Sequence, residues 1–176
     1  MSPQGEIKSR GDNISLSCFA QGGPNNSYVW EKDGTSIDGN NSTFTNVRIT
    51  DASSGGNYTC IVSNAAGTDM AFTTLYVVPY IVTPLVEQTL SANGSNVNIS
   101  CDVAGFPSPT VNWVDMNNIE VSDSARLQFN PVMFGDEGLY RCVAEVEING
   151  MSFNTTGGSV LVGTFHNIIF TIVIFV

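Results

Sequence analysis

Two stretches of the chain alternate cleanly between apolar and polar positions. Ile14, Leu16, Cys18 and Ala20 share one side of the period, and Ser15, Ser17 and Phe19 share the other. Val97, Ile99, Cys101 and Val103 repeat that arrangement against Asn98, Ser100 and Asp102. A period of two over seven residues predicts a β-strand with one buried face. Asn149-Gly150 lies between Val146-Glu147-Ile148 and Met151-Ser152-Phe153. Such a dipeptide predicts a two-residue hairpin turn, because both central residues need positive φ. No segment carries a sustained helical period, so the predicted class is all-β.

The two alternating stretches belong to a longer repeat. Cys18, Trp30, Tyr58 and Cys60 recur as Cys101, Trp113, Tyr140 and Cys142, offset by 82 to 83 residues. In each copy the Trp follows the first Cys by twelve residues and the Tyr precedes the second Cys by two. A self-similar period sets the architecture before any local reading. The repeat also uses all four cysteines, leaving none for metal or redox chemistry.

These landmarks resemble the immunoglobulin superfamily. Gly105-Phe106-Pro107-Ser108-Pro109-Thr110-Val111-Asn112-Trp113 is similar to the G-x-P-x-P-x-V-x-W stretch of its I-set subclass. Leu127, Phe129 and Val132, followed by Asp136-Glu137-Gly138-Leu139-Tyr140-Arg141-Cys142, resemble the run L-x-I-x-x-V-x-x-x-D-x-G-x-Y-x-C. In the first copy Gly22, Pro24, Tyr28 and Trp30 repeat the spacing. Trp30-Glu31-Lys32-Asp33-Gly34 is similar to the end of strand C with its turn, and Cys60-Ile61-Val62-Ser63-Asn64-Ala65-Ala66-Gly67 to the end of strand F. The first copy departs from the pattern twice. Ser54 stands where the motif has Asp, and Phe44, Val47 and Ile49 are out of register with the strand-E spacing.

The resemblance implies two tandem immunoglobulin-like β-sandwiches over roughly residues 5–162. It implies bridges Cys18–Cys60 and Cys101–Cys142, each packed against a core Trp (Trp30, Trp113) and followed by a tyrosine corner (Tyr58, Tyr140). The expected organisation is an I-set-like domain over 1–78, a second over 79–162, and over 163–176 a juxtamembrane stretch with the start of a membrane-spanning segment. The halves meet at Val78-Pro79-Tyr80 without a Gly/Ser spacer, a junction expected to hinge little. Bridges require an oxidising compartment, so the implied location is extracellular or at the cell surface.

Glycosylation sequons agree with that location. N-x-S/T acceptors fall at Asn13, Asn25, Asn40, Asn41, Asn57, Asn93, Asn98 and Asn154. Composition alone would supply about three or four of them. Alternation with Ile99 and Tyr58 predicts that Asn98 and Asn57 face solvent. The N-terminal Met1-Ser2-Pro3-Gln4 has no basic and apolar leader, and Ile168–Val176 is an apolar run of nine residues where a spanning helix needs about twenty. The expectation is a piece of a longer, membrane-anchored ectodomain lacking its signal peptide.

Charge narrows the partners. The formal charge is −10, with seven acids against four bases before residue 79 and nine against two after it. Nucleic acid, heparin and anionic lipid need basic patches, so none is an expected partner. Arg10-Gly11-Asp12 spells an integrin-binding tripeptide but sits where this family makes the turn before strand B. Glu145 and Glu147 share a strand face, read as solvated in preference to a loose calcium site. His166 is the single histidine and has no nucleophile or carboxylate arrangement around it. No phosphate loop or metal-ligand spacing occurs, so neither an enzyme nor a cofactor is expected.

The resemblance therefore implies a cell-surface adhesion or recognition module. Its expected partners are other cell-surface or matrix proteins, homophilic pairing included, with membrane contact only through a C-terminal anchor. A receptor kinase or phosphatase ectodomain, a secreted matrix protein and an intracellular structural module with reduced cysteines are the alternatives. A glycan on Asn57 would screen the sheet containing strand F. The first domain is accordingly expected to bind through its other sheet or its loops, or else to leave Asn57 unoccupied.

Overall fold

The computed structural model describes residues 5–21, 25–39, 41–85, 89–91 and 96–163. Asn40, Asn93, His166 and the apolar run Ile168–Val176 lie outside the described residues. Among the described residues no helix is long and apolar enough to cross a membrane. The chain divides into two compact units. One is built from the chain up to Tyr80 with Ala104–Pro109 and Glu145–Asn154; the other takes Ile81–Val103, Thr110–Ala144 and the chain from Thr155.

The strands of the first repeat are β1 (Glu6–Lys8), β2 (Asn13–Ser17), β3 (Ser27–Lys32), β4 (Thr35–Gly39), β5 (Thr43–Arg48), β6 (Gly56–Asn64) and β7 (Gly67–Ile81). One sheet runs β1-β7-β6-β3-β4 and the other pairs β2 with β5. Between them lie Ile14, Leu16, Trp30, Ile49, Tyr58, Val62, Leu75 and Val77, all buried with the cysteines. The strands of the second repeat are β8 (Thr89–Ser91), β9 (Val97–Ser100), β10 (Val103–Phe106), β11 (Thr110–Val114), β12 (Glu120–Ser122), β13 (Arg126–Phe129), β14 (Gly138–Ile148) and β15 (Met151–Gly163). Its sheets run β12-β11-β14-β15-β8 and β13-β9, while β10 pairs with β7. Val97, Trp113, Leu127, Val132, Tyr140, Val160 and Val162 fill the second core.

Local sequence explains the connections. Asn149 and Gly150 have φ of 53° and 75°, joining β14 to β15 as the two-residue turn their chemistry favours. Asp33 and Gly34, at 50° and 79°, do the same between β3 and β4. The alternation in β2 ends earlier than its sequence implies: Ser17 pairs Thr43, Cys18 donates to the Ser42 carbonyl at 2.8 Å, and Ala20 beyond it is exposed.

The out-of-register strand E also has a backbone cause. Leu16 pairs Phe44 and Ile14 pairs Val47, with a register shift between Ile14 and Ser15. In the second repeat the equivalent pairs, Ile99 with Leu127 and Val97 with Phe129, run without a shift. The first repeat places its extra residue inside β5 as a bulge, and the second places it after β13. Phe44 to Ile49 and Leu127 to Val132 therefore span the same five residues.

Candidate functional site

Each sandwich is closed by a bridge and a corner. Sulfur–sulfur distances are 2.16 Å for Cys18–Cys60 and 1.97 Å for Cys101–Cys142, with Cα separations of 6.4 and 6.3 Å. The Tyr58 hydroxyl donates to the Ser54 carbonyl and the Tyr140 hydroxyl to the Asp136 carbonyl, both at 2.8 Å. Burial pushes both phenols above their ordinary pKa, with Asp33 adding to the effect at Tyr58 and Asp136 at Tyr140. Trp30 donates its ring N–H to the Asn41 carbonyl at 3.1 Å, whereas the buried Trp113 Nε1 has no partner among the described residues. All these groups are interior, so they position the outer faces and cannot themselves meet a macromolecule.

The outer faces differ. In β6, Tyr58, Cys60 and Val62 point inward, which turns Asn57, Thr59 and Ile61 outward. Register places Val29 opposite Ile61, Ile61 opposite Met70, Thr59 opposite Phe72 and Asn57 opposite Thr74. Directly opposed residues of a sheet share a face, so Val29, Ile61, Met70 and Phe72 form one apolar stripe across β3, β6 and β7. Met70 is 69% exposed and Phe72 56% exposed. Asn57 lies at the margin of this stripe, its side-chain oxygen accepting from the Thr74 hydroxyl at 2.8 Å. Along β2 the other sheet of the same sandwich exposes Asn13, Ser15 and Ser17, with Phe19 exposed just past its end.

Sequence reasoning missed Met70 and Phe72. The available signal was an inverted alternation in β7. Ala71 and Thr73 share the inward parity of Leu75 and Val77, while the larger Met70 and Phe72 take the outward one. Large apolar groups on the outward parity and small residues on the inward one are the reverse of what packing alone selects, and Ala71 itself remains exposed.

The remaining sites sort by position. Asn13, Asn25, Asn41, Asn57, Asn98 and Asn154 are exposed. Arg10-Gly11-Asp12 forms the turn between β1 and β2, and its polar groups bond within the fold. Gly11, at φ 98°, donates to the Ile49 carbonyl at 2.7 Å. The Asp12 carboxylate accepts from the Ser9 N–H at 2.8 Å. The Arg10 guanidinium donates to the Thr50 carbonyl at 3.0 Å and stacks over the Tyr80 ring. Glu145 and Glu147 are both exposed on β14, and Glu145 accepts from the Ser152 hydroxyl. Among the described residues no three potential ligands gather as a metal site would require.

Comparison with known proteins places this architecture. An immunoglobulin-domain family model matches residues 1–64 and again 79–145. The human protein Brother of CDO is 33% identical over 158 residues, covering 81% of this chain and 14% of that protein. Neural cell adhesion molecule L1 of Takifugu rubripes is 32% identical over 168 residues, covering 83% of this chain and 13% of that protein. Among solved structures, the N-terminal four immunoglobulin domains of Dscam1 isoform 7.44 superpose with a TM-score of 0.60 at 23% identity, covering 89% of this chain and 42% of that one. The chain thus spans about one seventh of the length of each of these two relatives. Two family matches, one in each repeat and both over bridged sandwiches, show that the chain belongs to the immunoglobulin-domain family.

Proposed function

We propose that this chain is a protein-recognition module of a cell-surface adhesion or receptor protein. Its working parts are the two domains over 1–78 and 79–162, held outside the cytosol by an anchor that begins within 163–176. It engages other cell-surface or matrix proteins, second copies of itself included, through the outer face of β3, β6 and β7. The observation carrying this reading is the exposed stripe of Val29, Ile61, Met70 and Phe72. Aromatic residues and Met are enriched where proteins meet, and a truncated aromatic anchor commonly costs about 2 kcal/mol or more of binding. Along β2 the opposite sheet offers hydroxyls and the sequon Asn13.

Of the routes open to the first domain, this choice selects the one that leaves Asn57 unoccupied. Thr74, which faces Asn57, is two residues from Phe72, about 7 Å along a strand. A glycan there would overhang the stripe. The sequons at Asn13, Asn25, Asn98 and Asn154 stand on other exposed positions and are proposed to carry glycan.

The test uses secreted protein presented as multivalent clusters to a panel of cell-surface and matrix ectodomains, itself included. Phe72→Asp and Met70→Lys are expected to weaken any partner by at least tenfold without changing the circular dichroism. Glycopeptide mass spectrometry should find Asn57 bare in the binding fraction. A partner that binds Phe72→Asp normally, or binds protein fully glycosylated at Asn57, would remove this face from consideration. Self-association is measured by sedimentation equilibrium. The charge of −10 should oppose it at low salt, so homophilic dimers are expected to tighten as salt screens repulsion.

A further inference from the structure

The two repeats differ sharply in how they finish the end where β15 leaves the second sandwich. Four positions of the repeat lie in the turn after the Trp strand and the turn before the Tyr strand. The first repeat fills them with Asp33, Ser36, Asp51 and Ala52. The second fills them with Met116, Ile119, Met133 and Phe134. These four are exposed by 72%, 60%, 62% and 63%. The first repeat, with nothing larger than the Ala52 methyl as an apolar group, shows that the fold needs no large apolar side chain at any of them, so their presence in the second requires another cause.

Chain geometry gathers them at one end. Phe134 belongs to the turn just before β14, which starts at Gly138. The two-residue turn at Asn149-Gly150 makes β15 antiparallel to β14, so β15 finishes at Gly163 beside that start. The Met116–Ile119 turn is tied to the same end, because Arg141 donates its guanidinium to the Asn118 side chain. Beyond Gly163 only Thr164, Phe165, His166 and Asn167 precede the apolar run Ile168–Val176. The five steps from Gly163 to Ile168 reach at most about 18 Å. Whatever surface receives that run therefore begins within this reach of Gly163, at the same end of the sandwich as the exposed Met, Ile and Phe side chains.

We propose that this end of the second sandwich seats on the lipid–water interface of the membrane that receives Ile168–Val176, with Met116, Ile119, Met133 and Phe134 entering it. The inference rests on the anchored reading of residues 163–176 and is independent of the recognition face on the first sandwich. Two signals, a short apolar run and a second apolar contact, hold a chain on a bilayer better than either alone. The acids at this end favour a zwitterionic surface. The Asp115 carboxylate is spent on the Asn117 and Ile119 N–H groups and that of Asp136 on the Met133 N–H, each at 2.8 Å. Neither supplies a basic contact, and Glu120 and Glu137, next to Ile119 and to the Phe134 turn in the chain, would repel anionic headgroups.

The full chain is reconstituted with phosphatidylcholine vesicles, and Phe134→Trp serves as reporter against brominated lipid. Trp30 and Trp113 are 3% and 0% exposed and give a background that lipid does not reach. Quenching of the introduced indole by at least half is expected in the bound chain, with none for Ala52→Trp at the matching position of the first repeat. The double variant Met133→Asp/Phe134→Ala restores the first repeat's residues and should lower partition into these vesicles about tenfold. Its binding to partners of the first sandwich should not change. Equal quenching at both positions, no quenching in vesicle-bound chain, or undiminished partition of the double variant overturns the proposal. Shielding of the reporter that grows with protein concentration and needs no lipid would assign the face to a second copy instead. A chain that does not bind vesicles at all removes both the anchor and this inference, while leaving the recognition face to its own test.

Discussion

The corner before Tyr58 and the corner before Tyr140 make the same bond by different means. Each phenol reaches a backbone carbonyl four residues earlier at 2.8 Å, on Ser54 in one case and Asp136 in the other. The short turn beneath is then fixed from opposite ends. In the first repeat Asp51 opens the turn, and its carboxylate accepts from the backbone N–H of Ser53 at 2.8 Å and from the Ser53 hydroxyl. In the second, Asp136 closes the turn and reaches back to the N–H of Met133 at 2.8 Å. The two acids stand at opposite ends of one four-residue frame, Asp51 matching Met133 and Ser54 matching Asp136. The corner therefore needs a carbonyl in place and one acid to hold the turn. It does not need that acid at a particular position.

The largest test of this equivalence is the pair of bridges. They close loops of 42 and 41 residues. Chain entropy assigns nearly the same stabilisation to each, about 4 kcal/mol. Cys18→Ala/Cys60→Ala and Cys101→Ala/Cys142→Ala should lower urea stability by that amount in their own repeat, read by hydrogen exchange of β6 and β14. Costs that differ by more than about 1 kcal/mol would show that native packing, and not the shared loop length, sets the bridges' value.

The buried tryptophans should differ next. Trp30→Phe loses ring volume and the bond to the Asn41 carbonyl, whereas Trp113→Phe loses volume and removes a donor with no partner among the described residues. A hydrogen bond is worth about 1 kcal/mol net, so Trp30→Phe should be the more costly by about that amount. Equal denaturant midpoints for the two variants would mean that the bond to Asn41 adds nothing.

Exchange of the acids sharpens the comparison further. Asp136→Ala should cost about 1 kcal/mol, the usual loss on removing a side-chain cap, and Asp51→Ala should destabilise the first repeat in the same direction. Ser54→Ala should cost little, because the acceptor at that position is the carbonyl. Transplanting Asp51 into the second repeat alongside Asp136→Ala, as Met133→Asp, should recover most of the loss in thermal unfolding. Failure to recover would mean that the two turns are held by something other than their acids.

How far these features could be read from sequence depends on where their chemistry resides. Bridges, tryptophans, tyrosines and the hairpin at Asn149-Gly150 are side-chain or φ requirements, and their spacing in the chain states them directly. The bulge in β5 shifts the backbone while keeping Ile49 five positions after Phe44, so the spacing departs from the motif although the path is intact. Ser54 looked like a loss because the motif names a side chain where the bond uses main chain. The stripe of Met70 and Phe72 depends on cross-strand register with β6 and thence β3, which no local window contains. Its one local trace is the inverted parity of β7. The end formed by Met116, Ile119, Met133 and Phe134 joins two turns that are distant in the chain, and neither turn alone carries a pattern that marks it.

Acid titration gives the smallest effect and separates the repeats by number of groups. Asp33 lies below the ordinary carboxylate pKa through the backbone N–H of Asn57, with Lys32 assisting. Asp51 is lowered by the hydroxyl and the backbone N–H of Ser53, and Asp115 by the backbone N–H groups of Ile119 and Asn117. A carboxyl depressed in the folded state stabilises fully above its unfolded pKa, about 3.9, and loses that contribution as pH falls through the lower folded value. Both repeats should therefore weaken below about pH 4, the first through Asp33 and Asp51 and the second through Asp115. All three groups sit at the surface, where solvent screening keeps each contribution small. Asp51→Asn retains a capping oxygen but cannot titrate, so its stability should sit slightly below the parent at neutral pH and converge with it in acid. The measurement is the urea midpoint between pH 2 and 7, with exchange assigned to each repeat. A variant profile that stays parallel to the parent down to pH 2 would show that the charge on Asp51 does not contribute, and that its turn is held by neutral hydrogen bonds alone.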